Sequence, residues 1–238
     1  MRWALAYKGV EHTRKAPPPG PHMLVALALT RGEHKTFPVL QIDGETIGDS
    51  TAIIAALEER IPEPPLYPAD AGERRRALEL EDYFDEELAP HIRLLAWHVL
   101  TQDRERFGEF AAQTLPGPFR HAQGLAGRVA STFVGLRFDV HDDDRAALAE
   151  EKLAGAMARL EAELDGNEYL VGNSFSVADL TAASLFYPLV LPPEGPQQVG
   201  DPTPAWERIR APYRERPGYR WVQEMFARHR NAGAAAPV

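Results

Sequence analysis

The sequence predicts a small α/β domain followed by a larger all-helical domain. Residues 37–61 follow the pattern of a strand, a tight turn, a second strand and a helix. A proline-rich linker occupies residues 62–72. Beyond it, apolar residues recur every three or four positions, as in helices that bury one face. The change of pattern across the linker predicts domains at residues 1–66 and 73–230.

The segment before the first clear strand predicts two short helices. Residues 2–9 are helix-like and end at a glycine. Residues 23–29 form an apolar run of about two helical turns, which Gly32 ends. Between them, residues 11–18 predict a short strand that leads into a proline-rich loop.

The strand–turn–strand–helix unit carries the strongest local signals. Residues 37–42 alternate as a strand does, and Asp43-Gly44 is a hairpin turn signal. Residues 45–47 predict the returning strand, and Gly48-Asp49-Ser50-Thr51 opens a helix. Its apolar face is expected to comprise Ile53, Ile54, Leu57 and Ile61.

The remaining chain predicts helices joined by irregular loops. Pro90 is expected to kink the first long helix, whose apolar face comprises Ala77, Leu80, Phe84, Leu88, Ile92, Leu95 and Val99. A second apolar face comprises Leu153, Met157, Leu160 and Leu164. Further helices are expected at residues 110–115, 125–134, 176–186, 206–209 and 219–226. Residues 188–204 predict a long loop, and residues 231–238 a disordered tail.

Composition excludes several classes of function. The 238-residue chain has no cysteine, so it holds no disulfide, no thiolate metal site and no cysteine nucleophile. A net charge of −9 argues against binding nucleic acid by neutralising phosphates. The longest stretch without charged residues, 16–30, is too short and too rich in proline to span a membrane. We expect a cytoplasmic protein with no nucleic-acid or membrane partner.

Two motifs, in this order, resemble the glutathione S-transferase family. The N-terminal motif comprises Phe37-Pro38-Val39-Leu40, Asp43-Gly44 and Ile47-Gly48-Asp49-Ser50-Thr51-Ala52-Ile53. The C-terminal motif comprises Tyr169-Leu170-Val171-Gly172 and Phe175-Ser176-Val177-Ala178-Asp179. The resemblance covers nearly the whole chain and is weakest at residues 101–143. It implies a thioredoxin-like N-terminal domain and an all-helical C-terminal bundle.

The resemblance also implies a glutathione site in the N-terminal domain. A cis bond before Pro38 would turn the backbone of Val39 toward a peptide-like ligand, which could pair with it as an added strand. Ser50, at a helix N-terminus, suits a ligand carboxylate, and Asp49 suits the adjacent ammonium. Lys35 is a candidate partner for the other carboxylate, a role for which His34 competes. The alternatives are an ordinary edge-strand proline, a helix cap and a solvated lysine.

The sequence also predicts roles for two other groups of residues, outside the glutathione site. Ser176 and Asp179 predict a capping box with a structural function. Tyr83, Trp97 and Tyr187 lie on helices that face the ligand cleft in such a fold, and are expected to line an apolar co-substrate pocket.

The eight histidines show no metal-binding spacing. His141-Asp142-Asp143-Asp144 is interpreted as a solvated loop or an N-cap cluster, so no metal is expected.

The start of the chain departs from the family pattern. Residues 2–9 resemble the interior of the family's first helix, so we expect the strand and catalytic loop that precede this helix in the family to be missing here, and we expect three strands instead of four. We assign no catalytic residue, and expect this 238-residue chain to have little or no transferase activity. The implied reaction joins the glutathione thiol to an apolar electrophile, in a homodimer. The alternatives are a non-catalytic binding protein and a structural module of the same fold.

Overall fold

The computed structural model describes residues 1–17, 22–103, 106–107, 142–196 and 202–230. Among these residues, 1–65 form one compact unit that contains a small sheet and helices. Residues 66–107, 142–196 and 202–230 belong to a second, helical unit. This arrangement confirms the predicted fold class, a thioredoxin-like α/β domain joined to an all-helical domain.

The N-terminal unit begins with two short helices, α1 (Arg2–Tyr7) and α2 (His22–Leu29). Four of the six residues of α1 are buried, including Trp3. The chain leaves α1 at Gly9, whose positive φ of 67° favours glycine and whose amide donates to the carbonyl of Ala6. Both helices agree with the sequence prediction.

The sheet of this unit is a hairpin of β1 (Val39–Ile42) and β2 (Glu45–Gly48). The strands are antiparallel, and Ile42 lies opposite Glu45 at the turn. The turn residues Asp43 and Gly44 have φ angles of 50° and 82°. Positive φ at both central positions is typical of the type I′ turn that Asp-Gly favours. The predicted hairpin is therefore confirmed.

The predicted third strand is wrong within the residues described. Residues 11–17 form no strand, so the described part of the N-terminal unit holds two strands, not three. Residues 13–16 are exposed and include Arg14 and Lys15. With no alternating apolar side chains to bury, the segment has no hydrophobic reason to join the sheet.

Helix α3 (Ser50–Arg60) follows β2 directly. Its buried residues are Ile53, Ile54 and Leu57, as the periodicity predicts. Ile61 comes just after the helix, as its C-cap, and is only partly buried. One end of α3 is therefore fixed to the hairpin, and the other leads into the linker between the two units.

The helical unit contains six α-helices in the described residues: α4 (Ala71–Glu87), α5 (Ala89–Gln102), α6 (Asp143–Leu164), α7 (Val177–Val190), α8 (Pro204–Arg210) and α9 (Pro217–Met225). A 3₁₀ turn (Ala211–Tyr213) follows α8, and a π-helical turn (Phe226–Arg230) follows α9. Every residue of the two predicted apolar faces is buried. Phe84 of α4 meets Phe186 of α7 edge to face, with ring centroids 6.2 Å apart.

Two prolines behave differently from the prediction. Pro90 does not kink one continuous helix. Instead, α4 ends at Glu87 and α5 begins at Ala89, so that Pro90 lies in the first turn of α5, where its missing N–H costs no bond. Pro188, expected to start a loop, lies inside α7.

The predicted helices at residues 110–115 and 125–134, the tail at 231–238 and His141 lie outside the described residues. Within the described ranges, no helix combines the length and the apolar character needed to cross a membrane.

Candidate functional site

The hairpin brings the two halves of the N-terminal motif together. Val39, the first residue of β1, lies opposite Gly48, the last residue of β2. Paired strands are about 4.8 Å apart, so the backbone of Val39 is close to the start of α3. The Phe37–Pro38 peptide bond is cis, as the resemblance implies. Pro38, Val39, Asp49 and Ser50 thus share one end of the hairpin.

Asp49 is the N-cap of α3. Its Oδ1 accepts hydrogen bonds from the amides of Thr51 at 2.9 Å and Ala52 at 3.2 Å. Both bonds use Oδ1, so the second carboxylate oxygen has no part in the cap. The backbone of Asp49 has φ 73° and ψ 140°, a conformation that side chains rarely adopt. Such strain persists where surrounding structure enforces it, and it is concentrated at ligand sites.

Ser50 presents two donors at the same helix end. Within the part of the chain that the structure describes, neither its amide nor its hydroxyl makes a hydrogen bond. The residue is partly exposed, next to the positive end of the α3 dipole. An amide, a hydroxyl and a helix N-terminus on one residue are suited to bind a carboxylate.

His34 lies closer to this site than sequence reasoning indicated. Its backbone N–H donates to Oγ1 of Thr30 at 3.0 Å, and this hydroxyl is itself anchored to the carbonyl of Ala26. The His34 ring packs against Gly48, so closely that a Cβ on this glycine would lie 2.6 Å from Cγ of the ring. A glycine in a strand is a sequence signal for such a close approach of another residue.

Lys35 is exposed and makes no ion pair with any described residue.

Asp179 organises the start of α7. Its Oδ1 accepts from the amide of Leu170 at 2.8 Å, and its Oδ2 accepts from the amide and the hydroxyl of Ser176 at 2.8 and 2.7 Å. The residue is completely buried. Burial outweighs these hydrogen bonds and raises the pKa of Asp179 to about 6. These contacts hold a loop onto a helix, which is a structural role.

The three aromatics predicted to line a substrate pocket have different surroundings. Tyr83 of α4 lies below the guanidinium of Arg159 of α6, which is 5.1 Å from the ring centroid. The ring of Tyr187 lies 5.9 Å from that of Phe226. Trp97 of α5 is half-buried. Their assignment to one apolar pocket stays a prediction.

The described residues contain no group of three or more His, Asp or Glu placed to hold a metal ion. Asp142, from the acidic run that follows His141, is the N-cap of α6. Its Oδ1 accepts from the amides of Asp144 at 3.0 Å and Arg145 at 3.1 Å. These contacts give Asp142 a structural function.

Sequence reasoning missed Lys8. Its ammonium is buried and pairs with Glu58 of α3 at 2.6 Å. No local signal marks it, because its partner lies fifty residues away in the chain. The apolar residues that precede Lys8 in α1 were the available hint, since a cation in such surroundings needs an acceptor.

Two family models match this chain. The model of the glutathione S-transferase N-terminal domain matches residues 1–65, and that of the glutathione S-transferase C-terminal domain matches residues 125–217. Together they cover well over half of the chain. The maleylacetoacetate isomerase of Dictyostelium discoideum is 29% identical over 143 residues, which are 56% of this chain. The match spans 64% of the length of that isomerase.

Solved structures agree at the level of the fold. A β-etherase from Sphingobium sp. strain SYK-6 is 23% identical with a TM-score of 0.57, over 94% of this chain and 92% of its own. A theta class glutathione S-transferase from Xanthomonas axonopodis pv. citri, solved with glutathione bound, is 23% identical with a TM-score of 0.55, over 92% and 88%. With both domain models matched in order, the chain belongs to the glutathione S-transferase family.

Proposed function

We propose that the chain binds glutathione at the N-terminus of α3 and presents its thiol to an apolar electrophile. The observation that carries this proposal lies beside the strained cap residue Asp49: no described residue engages the amide or the hydroxyl of Ser50. Membership of the glutathione S-transferase family supports the choice of ligand.

The γ-glutamyl end of glutathione offers a carboxylate and an ammonium side by side. In the proposed complex, the carboxylate accepts from the amide and hydroxyl of Ser50 and is favoured by the α3 dipole. The ammonium pairs with Asp49, through the oxygen that the helix cap leaves unused. The peptide backbone extends past Pro38 and pairs with Val39. Lys35 or His34 then meets the second carboxylate.

The proposed reaction is attack of the glutathione thiolate on an electrophilic carbon, which forms a sulfur–carbon bond. In a substitution, the bond from that carbon to the leaving group breaks and the leaving group departs with the electron pair; in an addition, the electron pair of a carbon–carbon double bond moves to the neighbouring carbon, which then takes a proton. A free thiol has a pKa near 8.5, so a protein that favours the thiolate accelerates such a step. Tyr83, Trp97 and Tyr187 are proposed to contact the electrophile. A homodimer is part of the same proposal.

Calorimetric titration with reduced glutathione tests this function. Ser50→Ala should weaken binding by about 1–3 kcal/mol, the contribution of a hydrogen bond to a charged group. Ser174→Ala, an exposed serine of the helical unit, is the matched control and should leave the affinity unchanged. Equal affinities for wild type and Ser50→Ala would remove Ser50 from the site.

A conjugation assay with an activated aryl halide separates turnover from binding. Product formation that saturates with glutathione supports a transferase. Binding without product would make the chain a glutathione-binding protein instead.

A further inference from the structure

Lys8 follows α1 as its C-cap, and 0% of its side-chain surface is exposed. Its ammonium lies 2.6 Å from Oε1 of Glu58, a carboxylate that is only 8% exposed. The same nitrogen donates to the carbonyls of Ile61 at 2.6 Å and Pro64 at 3.0 Å. One cation therefore joins the end of α1 to the end of α3 and to the chain that leaves it.

These three acceptors match the three donors of a lysine ammonium. A buried ammonium is costly unless every donor is satisfied. A cation at a helix C-terminus is also favoured by the helix dipole. Because all of its donors are engaged, Lys8 is locked in one position relative to Glu58 and Ile61.

Helix α3 follows the hairpin directly at its N-terminal end, and the contacts of Lys8 hold its C-terminal end and the residues after it. Only three of its eleven residues, Ile53, Ile54 and Leu57, are buried. Apolar burial is non-directional and permits small sliding movements, whereas hydrogen bonds to an immobilised cation are directional. A helix of eleven residues is about 16 Å long and moves as a unit. A shift at Ile61 therefore displaces Ser50.

We propose that Lys8 is a positioning residue for the glutathione site, because its contacts to Glu58, Ile61 and Pro64 fix α3 so that Ser50 meets the ligand carboxylate. This inference rests on the proposed function. A charged ligand group must be met within about 0.5 Å of the productive geometry, so a loosened helix lowers affinity although Lys8 never touches glutathione.

The test replaces the buried ion pair by an apolar pair of similar size, Lys8→Met with Glu58→Met. Apolar replacement of a complete buried pair is often neutral for stability, whereas removal of one partner leaves a buried charge. Reduced glutathione is titrated by calorimetry into the wild type and into this double variant. The same pair of substitutions is also made in the Ser50→Ala background.

We expect the double variant to bind glutathione about 3- to 20-fold more weakly than wild type. In the Ser50→Ala background, the same two changes should cost clearly less affinity than in the wild type, because the hydroxyl bond that depends on the helix position is already absent and coupled residues are not additive. A loss of equal size in both backgrounds overturns the inference, since Lys8 would then act independently of Ser50. Unchanged affinity also overturns it.

If the double variant does not fold, Glu58→Gln in both backgrounds is judged by the same two criteria. A Ser50→Ala variant with wild-type affinity counts against the proposed function, and the role of Lys8 is then judged by the affinity of the double variant alone. Arg60→Met with Glu45→Met is the matched control, because this pair lies at the same end of α3 but its side chains are 30% and 57% exposed. Exposed pairs contribute little, so this control should keep its affinity within about 2-fold.

Discussion

The imidazole ring of His34 lies directly against the α-carbon of Gly48, and a side chain cannot fit between them. A Cβ at position 48 would overlap Cδ2 of the ring and would lie 3.0 Å from Nε2. Glycine weakens a strand, so its presence at the end of β2 indicates that this close approach is needed. The contact holds the His34 ring against the residue that precedes Asp49, at the edge of the candidate glutathione site.

Gly48→Ala should therefore displace the His34 ring. We expect the free energy of unfolding to fall by about 1–3 kcal/mol, as for other overpacked sites, and glutathione binding to weaken. The measurement is chemical denaturation together with calorimetry. In a His34→Ala background the added methyl group has room, so the same substitution should cost much less there. An equal cost in both backgrounds would show that the ring is not the obstacle.

Lys35→Ala tests whether an exposed lysine meets the second glutathione carboxylate. At low salt we expect a loss of affinity below about 1 kcal/mol, as for exposed ion pairs. The loss should shrink at 1 M salt, where charges are screened beyond about 3 Å. Titration at two salt concentrations measures this. An affinity that Lys35→Ala leaves unchanged at low salt would assign the carboxylate to His34 instead.

Asp179→Ala should destabilise the fold without affecting the ligand site. The substitution leaves the buried amides of Leu170 and Ser176 without their acceptor, which costs roughly 1–3 kcal/mol. Thermal unfolding measures the loss, and calorimetry on the folded protein should give an unchanged glutathione affinity. Asp82→Ala, at an exposed position of α4, is the control. A stable Asp179→Ala variant that fails to bind glutathione would contradict the structural role.

The same carboxyl should make stability depend on pH. Burial raises the pKa of Asp179 from 3.8 to about 6, so the folded protein takes up a proton at a higher pH than the unfolded chain. The contribution of this protonation to the free energy of unfolding is therefore fully present below pH 3.8 and is lost as the pH rises through 6. Between these two pH values the free energy of unfolding changes by about 3 kcal/mol, since one pKa unit corresponds to about 1.4 kcal/mol.

Comparison with Asp179→Asn isolates this effect, because the amide does not titrate. We expect the free energy of unfolding of the wild type, minus that of the variant, to increase as the pH falls from 7 to 5. Other carboxylates, such as Glu161 with its lowered pKa, contribute to both proteins and cancel. A difference that stays constant over this range would show that Asp179 keeps its charge throughout.

Local patterns predicted the parts of the fold that local forces determine. Asp43-Gly44 specified the hairpin because its turn needs two positive φ angles. The apolar faces of α4, α5 and α6 were predictable, because a helix that buries one face repeats apolar residues every three or four positions. In the site, the N-terminal motif predicted Asp49 and Ser50 at the start of α3, because a polar cap residue directly before an apolar helical pattern marks a helix N-terminus.

The remaining features depend on contacts between distant residues. Lys8 is buried because Ile61 and Pro64 supply carbonyls from the far end of the unit. Helix α7 continues past Pro188, and side chains of α8 satisfy its last carbonyls: Trp206 donates to the carbonyl of Pro188, and Arg210 donates to those of Leu189 and Val190. Such donors cannot be paired with their acceptors from sequence spacing alone.

A crystal structure of the protein grown with reduced glutathione tests the central claim most directly. We predict the γ-glutamyl carboxylate within hydrogen-bond distance of the amide and hydroxyl of Ser50, about 2.7–3.2 Å. The ammonium should lie beside Asp49, and the peptide should pair with the backbone of Val39. Glutathione bound elsewhere, or an empty α3 N-terminus at saturating glutathione, would contradict the account.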